Sequence, residues 1–286
     1  YIDIPEKIEI NNNALSVLII NENENIYKKN WNKKLHSMFD IIFTWHDEYV
    51  DNELYHKFNY SFKIPKNIND VPFKEKKFLT MIAMNQKNSS LNNLYYERLA
   101  AIKWCEKNLP ENFDLYGKDW NKIVFENKLL NYLNKKTSIF DFFKKKRISY
   151  KGKLKNKSQV LMNYKFAFSY ENTFGLPGYI TEKIFHCFFN GVIPIYLGAN
   201  NIIKYIPKNC FIDKRDYNNY YELISDLKKI DEDQYYEYLK NIRDFLKSKN
   251  AKIFNSSYWA NNTVEKIINL KKFKNIGHNE NLFKNK

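Results

Sequence analysis

The chain has little of what stabilises secreted or membrane-spanning proteins. Its 286 residues include only three cysteines, Cys105, Cys187 and Cys210, and none of them form a CxxC pair. This number and spacing argue against a disulfide framework and favour a reducing compartment, with Cys187 and Cys210 as buried, inert thiols in apolar segments. No apolar run reaches the ~18 residues that a membrane-spanning helix needs.

Glycine is also scarce, with 7 residues, and negative charge is in the minority. Lys and Arg total 47 against 32 Asp and Glu, which gives a net charge of +15. Such a balance favours acidic partners, namely nucleotide diphosphates, nucleic acid or an anionic membrane. The basic residues are scattered and no nucleic-acid-binding motif is present, so we expect no nucleic-acid partner. A hydrophobic content of 44%, with 17% aromatic residues, predicts a well-packed core.

Short apolar runs alternate with helical patterns along most of the chain. The predicted strands are 14–20, 39–45, 57–65, 77–84, 113–117, 166–170, 192–196 and 210–212. The predicted helices are 94–107, 158–164, 220–229 and 231–249, while 121–148 is lysine-rich and ambiguous. This alternation predicts an α/β protein with two Rossmann-like halves. The predicted domains are 1–72, 73–260 and a basic tail at 261–286.

The most informative segment runs from residue 163 to residue 199. It contains a strand, the polar pair Glu171 and Asn172, a Gly/Pro turn, a helix that begins near Thr181, and a second strand. In open α/β sheets, ligands bind at the carboxyl ends of strands, beside helix N-termini that favour anions. Glu171, Asn172, Tyr179, Glu182 and Lys183 are predicted to lie at that edge. A purely structural hypothesis stays open, with Thr181 as an N-cap and Glu182 as a first-turn acid.

The words ENT, GYITEKI and IPIYLGA in this segment resemble the donor-site signature of the α-1,3-fucosyltransferases, glycosyltransferase family ten. Three other segments are similar to further patterns of that family: 39–47, with F-D-x-I-F-T-W-x-D; 94–98, with L-Y-x-E-R; and 113–117, with F-D-x-Y-G. The resemblance runs from about Leu18 to Trp259. It is long and specific, unlike a single short motif.

The resemblance implies a GT-B fold, in which two Rossmann-like domains face each other across a cleft. The N-terminal domain is short for the family, which indicates truncation. The implied activity is inverting transfer of L-fucose from GDP-fucose to a hydroxyl of an oligosaccharide acceptor, α-1,3 to N-acetylglucosamine or glucose of a surface glycan. No cofactor is required on this basis, and Mn²⁺ or Mg²⁺ would stimulate only through the diphosphate.

The resemblance also assigns roles to individual residues. Glu22 matches the general base that takes the proton of the acceptor hydroxyl, with Glu24 as the alternate. Arg98 and Lys183 match the cations that neutralise the diphosphate. The donor-binding set is Arg98, Asn172, Tyr179, Glu182 and Lys183, in which Glu182 would accept hydrogen bonds from ribose or fucose hydroxyls. The structural alternatives are a solvated loop acid for Glu22 and a helix-surface charge for Arg98.

Other hypotheses stay open at this level. Asp231-Glu232-Asp233 resembles a D-x-D metal motif, but its place before a predicted helix favours a helix N-terminal cluster, and no metal site is predicted. The chain could bind a nucleotide sugar or glycan without catalysis, or transfer another GDP-sugar. The basic tail predicts peripheral contact with an anionic membrane. The expected location is the bacterial cytoplasm or the cytoplasmic membrane face, or the Golgi lumen where an N-terminal anchor precedes the chain.

Overall fold

The computed structural model describes residues 1–9, 11, 14–68, 71–87, 90, 92–137 and 147–283. Within this part of the chain, the fold is α/β with two parallel sheets, one of three strands and one of six. The residues form two compact units. The first contains Tyr1–Ile64 and the chain from Lys249 onward, and the second contains Pro65–Ser248. The predicted α/β class is confirmed.

The first unit is built on a parallel sheet with the strand order β1-β2-β3. The strands are β1 (Val17–Ile20), β2 (Ile41–Thr44) and β3 (Tyr55–Lys57), and a short helix, α1 (Lys33–His36), lies between the first two. Ile20 is paired with Thr44, and Thr44 with Lys57. The three strands therefore end at the same edge of the sheet, and the residues that follow them come together there.

The predicted third strand at 57–65 is wrong beyond Lys57, because β3 lies earlier in the chain. The aromatic run that follows is strand-like in sequence but makes other contacts. The main chain of Phe62 exchanges hydrogen bonds with Phe254 and Ser256, and the Tyr60 hydroxyl donates to the carbonyl of Asn21. Aromatic residues suit a strand and an irregular packed segment equally well. The composition of residues 57–65 therefore could not show which of the two this segment forms.

The second unit contains a six-stranded parallel sheet in the order β6-β5-β4-β7-β8-β9. The strands are β4 (Lys77–Ile82), β5 (Phe113–Tyr116), β6 (Tyr150–Gly152), β7 (Tyr164–Tyr170), β8 (Ile193–Leu197) and β9 (Ile212–Asp213). Counted within this unit, the order is 3-2-1-4-5-6, that of the Rossmann fold. β7 and β8 are buried along almost their whole length, as strands covered on both faces require.

The helices of this unit follow the predicted pattern closely. They are α2 (Tyr95–Asn108), α3 (Lys128–Lys136), α4 (Lys157–Leu161), α5 (Glu182–Phe189), α6 (Tyr220–Lys229) and α7 (Glu232–Lys247). Of the segment that was ambiguous in sequence, α3 forms one part and residues 138–146 lie outside the described chain. Asp231 caps α7 in a capping box with Gln234, which confirms the helix N-terminal interpretation of the D-x-D-like cluster.

The compact units divide the chain differently from the predicted domains. The last helix, α8 (Ser256–Phe283), contains most of the predicted tail and begins before it. It joins the first unit because Ser256 bonds to Phe62 and the ring of Trp259 lies 5.8 Å from that of Phe58. Among the helices described, none is both long and apolar enough to cross a membrane.

Cys187 and Cys210 are buried free thiols, as predicted, and Cys105 is a third. Burial raises the pKa of the Cys187 and Cys210 thiols to about 12. Such thiols are almost entirely protonated at neutral pH, which makes them poor nucleophiles.

Candidate active site

The strand order of the larger sheet reverses between β4 and β7, and this reversal marks where an open α/β sheet binds its ligand. Glu171 and Asn172 follow β7 directly at this point. The carbonyl of Asn172 accepts a hydrogen bond from the Leu94 amide at 2.9 Å, which ties the start of α2 to the same edge. The residues of the predicted donor site are thus gathered around the switch point by β7, α2 and α5.

Glu171 forms the centre of this region and is fully buried. Its Oε1 accepts from the Thr181 amide at 2.8 Å, and its Oε2 accepts from the Thr181 hydroxyl at 2.7 Å and from Lys183 Nζ at 3.2 Å. A buried carboxylate persists only when it is paired and hydrogen-bonded, and all three donors come from the start of α5. Glu171 therefore anchors the N-terminus of that helix to the end of β7.

Thr181 occupies the N-cap position of α5, but its side chain does not cap the helix in the usual way. No hydrogen bond joins its side chain to the first-turn amides of α5. The hydroxyl instead donates to Glu171, and Lys183 Nζ lies 3.1 Å from it. The N-cap hypothesis was right about the position of Thr181 and wrong about its partner. The Thr181 side chain therefore leaves the first-turn amides of α5 uncapped, at a helix end that favours anions.

Gly198, after β8, makes the burial of Glu171 possible. A Cβ at this position would lie 2.4 Å from Glu171 Cγ and 2.5 Å from the Tyr196 hydroxyl oxygen. The carbonyl of Gly198 also accepts from the Gly175 amide at 2.9 Å, so the loops after β7 and β8 pass close together. The glycine in the motif IPIYLGA is thus a packing requirement of the site, which the sequence alone did not reveal.

Lys183 and Glu182 lie in the first turn of α5. The Lys183 side chain is 24% exposed, and its ammonium is bonded to Glu171 and Thr181. Burial raises the pKa of Glu182, but the nearby charges of Lys183 and Lys157 and a backbone hydrogen bond lower it more, so the net shift is downward. The site therefore combines an ionised carboxylate and a fixed ammonium at a helix N-terminus, groups that suit sugar hydroxyls and phosphate oxygens respectively.

Arg98 is not a helix-surface charge, because only 6% of it is exposed. Its Nη2 donates to the carbonyls of Tyr170 and Glu171, at 2.8 and 2.6 Å, and to Asn172 Oδ1 at 2.9 Å. Burial lowers the pKa of the guanidinium, while Tyr95 and Glu171 oppose that shift. Arg98 holds the loop after β7 in place, and its contact with a diphosphate stays a prediction.

The other two predicted donor contacts are placed differently. Asn172 is partly exposed and uses its Oδ1 to accept from Arg98. Tyr179 is only 1% exposed, in the turn before α5, and lies near enough to Arg98 to oppose the lowering of the guanidinium pKa by burial. Tyr179 therefore packs within the site, and a direct contact with the donor stays a prediction for both residues.

Glu22 lies in the first unit, directly after β1, and its main chain is held at several points. Its amide donates to Asp3 Oδ1 at 3.1 Å, and its carbonyl accepts from Trp31 Nε1 at 3.1 Å and from Asn30 Nδ2 at 3.3 Å. Glu22 is half-buried, whereas Glu24 is exposed. A general base needs a fixed position, so the structure favours Glu22 over Glu24, and its catalytic role stays a prediction.

Comparison with known proteins places these features in a family. Residues 115–276, more than half of the chain, match the model described as "Glycosyltransferase family 10 (fucosyltransferase) C-term". The chain is 40% identical over 75 residues to "Alpha-(1,3)-fucosyltransferase FucT" of Helicobacter pylori, a match that covers 26% of this chain and 16% of that protein. It is 37% identical over 95 residues to human "4-galactosyl-N-acetylglucosaminide 3-alpha-L-fucosyltransferase 9", covering 32% and 26% of the two chains.

Both matches therefore span well under a third of the relatives' own length.

Among solved structures, an α-glucosyltransferase in complex with UDP and a 13-mer DNA is similar with a TM-score of 0.54 and 13% identity, covering 88% of this chain and 71% of that one. The fold, an α/β arrangement with parallel sheets, is similar to that of the GT-B glycosyltransferases, as the sequence resemblance implied.

Proposed function

Since this chain belongs to glycosyltransferase family 10, the fucosyltransferases, we propose that it transfers L-fucose from GDP-fucose to a hydroxyl of an oligosaccharide acceptor. The single observation that carries the proposal is the Glu171–Thr181–Lys183 network. It fixes the Lys183 ammonium at a helix N-terminus, next to Glu182 in the same turn, at the switch point of a Rossmann-type sheet. A nucleoside diphosphate sugar presents the anion and the hydroxyls that such a site accommodates.

The proposed donor contacts follow from the chemistry of these side chains. The Lys183 ammonium and the first amides of α5 would bind the diphosphate, and Glu182 would accept hydrogen bonds from ribose or fucose hydroxyls. Arg98 would contribute positive charge from beneath the loop, while its Nη2 keeps that loop in place. As the bond from fucose to GDP breaks, negative charge grows on the diphosphate. A preorganised cation therefore stabilises the transition state more than the ground state.

On the acceptor side, we propose Glu22 as the general base. It would take the proton of the attacking hydroxyl while the oxygen displaces GDP directly, which inverts the configuration at the fucose anomeric carbon. The proposed acceptor is a glycan with N-acetylglucosamine or glucose, joined by an α-1,3 linkage. The relatives' names support this choice, since one is a 3-α-L-fucosyltransferase of 4-galactosyl-N-acetylglucosaminides.

The test is GDP-fucose turnover with and without an array of oligosaccharide acceptors that includes N-acetyllactosamine. The proposal predicts GDP release that depends on an acceptor, together with a fucosylated product. The same array with GDP-mannose tests whether another GDP-sugar is the donor. A second candidate function, binding of the donor or glycan without catalysis, would show as GDP binding in calorimetry with no product on any acceptor.

For the C-terminal segment we propose peripheral contact with an anionic membrane, on the cytoplasmic face in a bacterium. Its support is the sequence: residues 271–286 include five lysines and no arginine, with one glutamate. The full chain should sediment with vesicles that contain 30% phosphatidylserine and be released by about 0.5 M salt. Equal sedimentation with neutral phosphatidylcholine vesicles, or none with either, would refute it.

A further inference from the structure

An aromatic surface lies beside Glu22 at the carboxyl edge of the three-stranded sheet. Glu22 and His46 occupy equivalent places, each two residues beyond a member of the register pair Ile20 and Thr44. Because parallel strands end at a common edge, these two side chains are brought to the same side of the unit.

Aromatic rings surround His46 on three sides. The ring centroids of Trp31, Trp45 and Tyr49 lie 5.7, 5.4 and 5.0 Å from that of the imidazole. Trp45 is fully buried, whereas Trp31, His46 and Tyr49 are partly exposed above it. The three partly exposed rings, Trp31, His46 and Tyr49, are called here the aromatic surface.

The turn that presents His46 is rigidly held. Lys57 Nζ donates to the carbonyl of Trp45 at 2.6 Å and to Asp47 Oδ1 at 2.5 Å, which bonds the residues on both sides of His46. The His46 amide donates to Thr44 Oγ1 at 3.3 Å. These three hydrogen bonds hold the stretch of four residues that contains His46. The position of the imidazole is therefore set before a ligand binds, as in preorganised binding sites.

The protonation of the imidazole follows from its surroundings. Within the described chain, Nδ1 of His46 is buried and has no hydrogen-bond partner. Burial lowers the pKa of His46, although Glu48 and Asp47 oppose the shift, so the neutral form prevails at pH 7. A buried, unpaired N–H costs more than a buried lone pair, so the proton belongs on Nε2, the nitrogen that is not buried. The imidazole thus presents one neutral N–H donor to solvent.

We infer that the aromatic surface is the subsite that holds the acceptor saccharide next to Glu22, with His46 donating from Nε2 to a sugar hydroxyl. The indole N–H of Trp31 is already donated to the Glu22 carbonyl, so this residue offers an apolar ring face. Pyranose rings present a face of C–H bonds that packs on the electron-rich face of an aromatic ring, and hydroxyls at their rim. Apolar faces with one oriented donor match this chemistry.

This inference rests on the proposed function, since it names where the acceptor of that reaction binds. The Trp31 bond to the Glu22 carbonyl also joins the aromatic surface to the main chain of the proposed base. An acceptor packed on Trp31 would therefore be positioned relative to the carboxylate that takes its proton. His46 is a specificity-determining residue on this account, and Glu22 the catalytic one.

The first experiment compares His46→Leu, which removes the donor, with His46→Gln, whose amide keeps a donor near the place of Nε2. For the acceptor that the wild type fucosylates, His46→Leu should raise KM at least about tenfold, and His46→Gln should restore most of the loss. KM for GDP-fucose should stay within about twofold in both variants. His56→Leu, a histidine of the same unit outside the aromatic surface, is the control and should leave the acceptor KM unchanged.

The second experiment tests the ring of Tyr49, because Tyr49→Phe keeps the ring and Tyr49→Ala removes it. Binding of N-acetyllactosamine and the other array oligosaccharides is measured by saturation-transfer NMR with GDP present, which needs no turnover. Tyr49→Ala should weaken saccharide binding at least about fivefold, while Tyr49→Phe and the exposed aromatic control Tyr221→Ala should bind as the wild type does. Thermal unfolding of each variant identifies any that fails to fold. If His46→Leu fails to fold, the comparison of Tyr49→Ala with Tyr49→Phe still tests the inference.

The outcomes separate this inference from the proposed function. A wild type that binds a saccharide through this surface but never consumes GDP-fucose would overturn the proposed reaction and leave the subsite standing. A wild type that binds no oligosaccharide would overturn the subsite. Normal acceptor KM and binding in folded His46→Leu and Tyr49→Ala would overturn it as well. A rise in KM for GDP-fucose equal to that for the acceptor would indicate a merely structural role for His46.

Discussion

The carboxyl edges of the two sheets are both fixed, but by different chemistry. At the larger sheet, charged side chains hold one another: Glu171 bonds Lys183, and Arg98 bonds the carbonyls of the loop. At the smaller sheet, the main chain around Glu22 is held by the Asp3 carboxylate and by aromatic and amide donors, of which Trp31 Nε1 is one. The first arrangement suits a charged ligand, because it creates a local field. The second positions the main chain that carries the proposed general base.

This difference predicts two kinds of loss. A change at the smaller sheet's edge should affect catalysis and acceptor binding and leave the nucleotide affinity alone. A change in the charged network at the larger sheet's edge should affect nucleotide affinity and stability together, because the same bonds support both.

The largest effect is expected for Glu22→Gln. Glutamine keeps the size of the side chain but cannot take a proton, so kcat should fall by about 10²–10⁴, the typical contribution of a general base. Glu24→Gln, at the exposed neighbouring acid, is the matched control and should turn over nearly as the wild type does. A fall in kcat in Glu24→Gln alone would assign the general base to Glu24 instead of Glu22. Normal kcat in both would direct the search to Asp47 and Glu48.

A smaller effect, on both stability and GDP affinity, is expected for Glu171→Gln. The neutral amide would leave Lys183 without its charged partner and cannot accept from all three donors, so unfolding free energy should fall by about 1–3 kcal/mol. Glu106→Gln is the control, because Glu106 also accepts from two side chains, Arg147 and Ser149, away from the switch point. Urea denaturation should show a loss in both variants, and calorimetry a loss of GDP affinity only in Glu171→Gln. Unchanged GDP affinity in Glu171→Gln would separate this network from the donor site.

Chelation should have little effect. The proposed diphosphate contacts are the cations Lys183 and Arg98, so turnover of the wild type in EDTA should remain within about threefold of that without it. Added Mn²⁺ or Mg²⁺ would stimulate by binding the diphosphate itself. Complete loss of activity in EDTA, restored by one divalent ion, would contradict the account and require a metal in the reaction.

The smallest response is expected from the thiols. With pKa values raised to about 12, Cys187 and Cys210 should react with iodoacetamide at pH 8 at least 100-fold more slowly than in urea-unfolded protein, and turnover should survive the treatment. Mass spectrometry of the intact chain measures the modification. Rapid alkylation of the folded protein would show that these segments open readily.

The contrast between the edges also explains what could be predicted from the sequence. Glu171, Thr181, Lys183 and Gly198 lie within 28 consecutive residues, so the larger sheet's site forms a contiguous and recognisable motif. Seven of the nine strands described, and most helices, followed from the alternation of apolar runs, whereas β3 was misplaced and β6 was not predicted. Glu171, which the sequence placed at the ligand-binding edge, anchors the start of α5 through three donors.

The rest depended on contacts between residues distant in the sequence. The bonds to the Asn21 and Glu22 main chain involve positions 3, 30, 31, 45 and 60, of which only Trp45 lies in a recognised family segment. The burial of Arg98 and its bonds to main-chain carbonyls likewise require the end of β7 to be in place. An aromatic-rich segment such as 58–64 has no period that distinguishes a strand from packed irregular chain, which is why the third strand was misplaced.

The central claim is that Lys183 binds the donor diphosphate while Glu22 acts only on the acceptor. The most direct test is calorimetry of GDP with the wild type, Lys183→Ala and Glu22→Gln, with Lys204→Ala as an exposed-lysine control. Loss of a charge-assisted bond to phosphate should cost Lys183→Ala about 1.5–3 kcal/mol of GDP binding, while the other two variants bind as the wild type does. Unchanged GDP affinity in a folded Lys183→Ala, or a comparable loss in Glu22→Gln, would contradict the account.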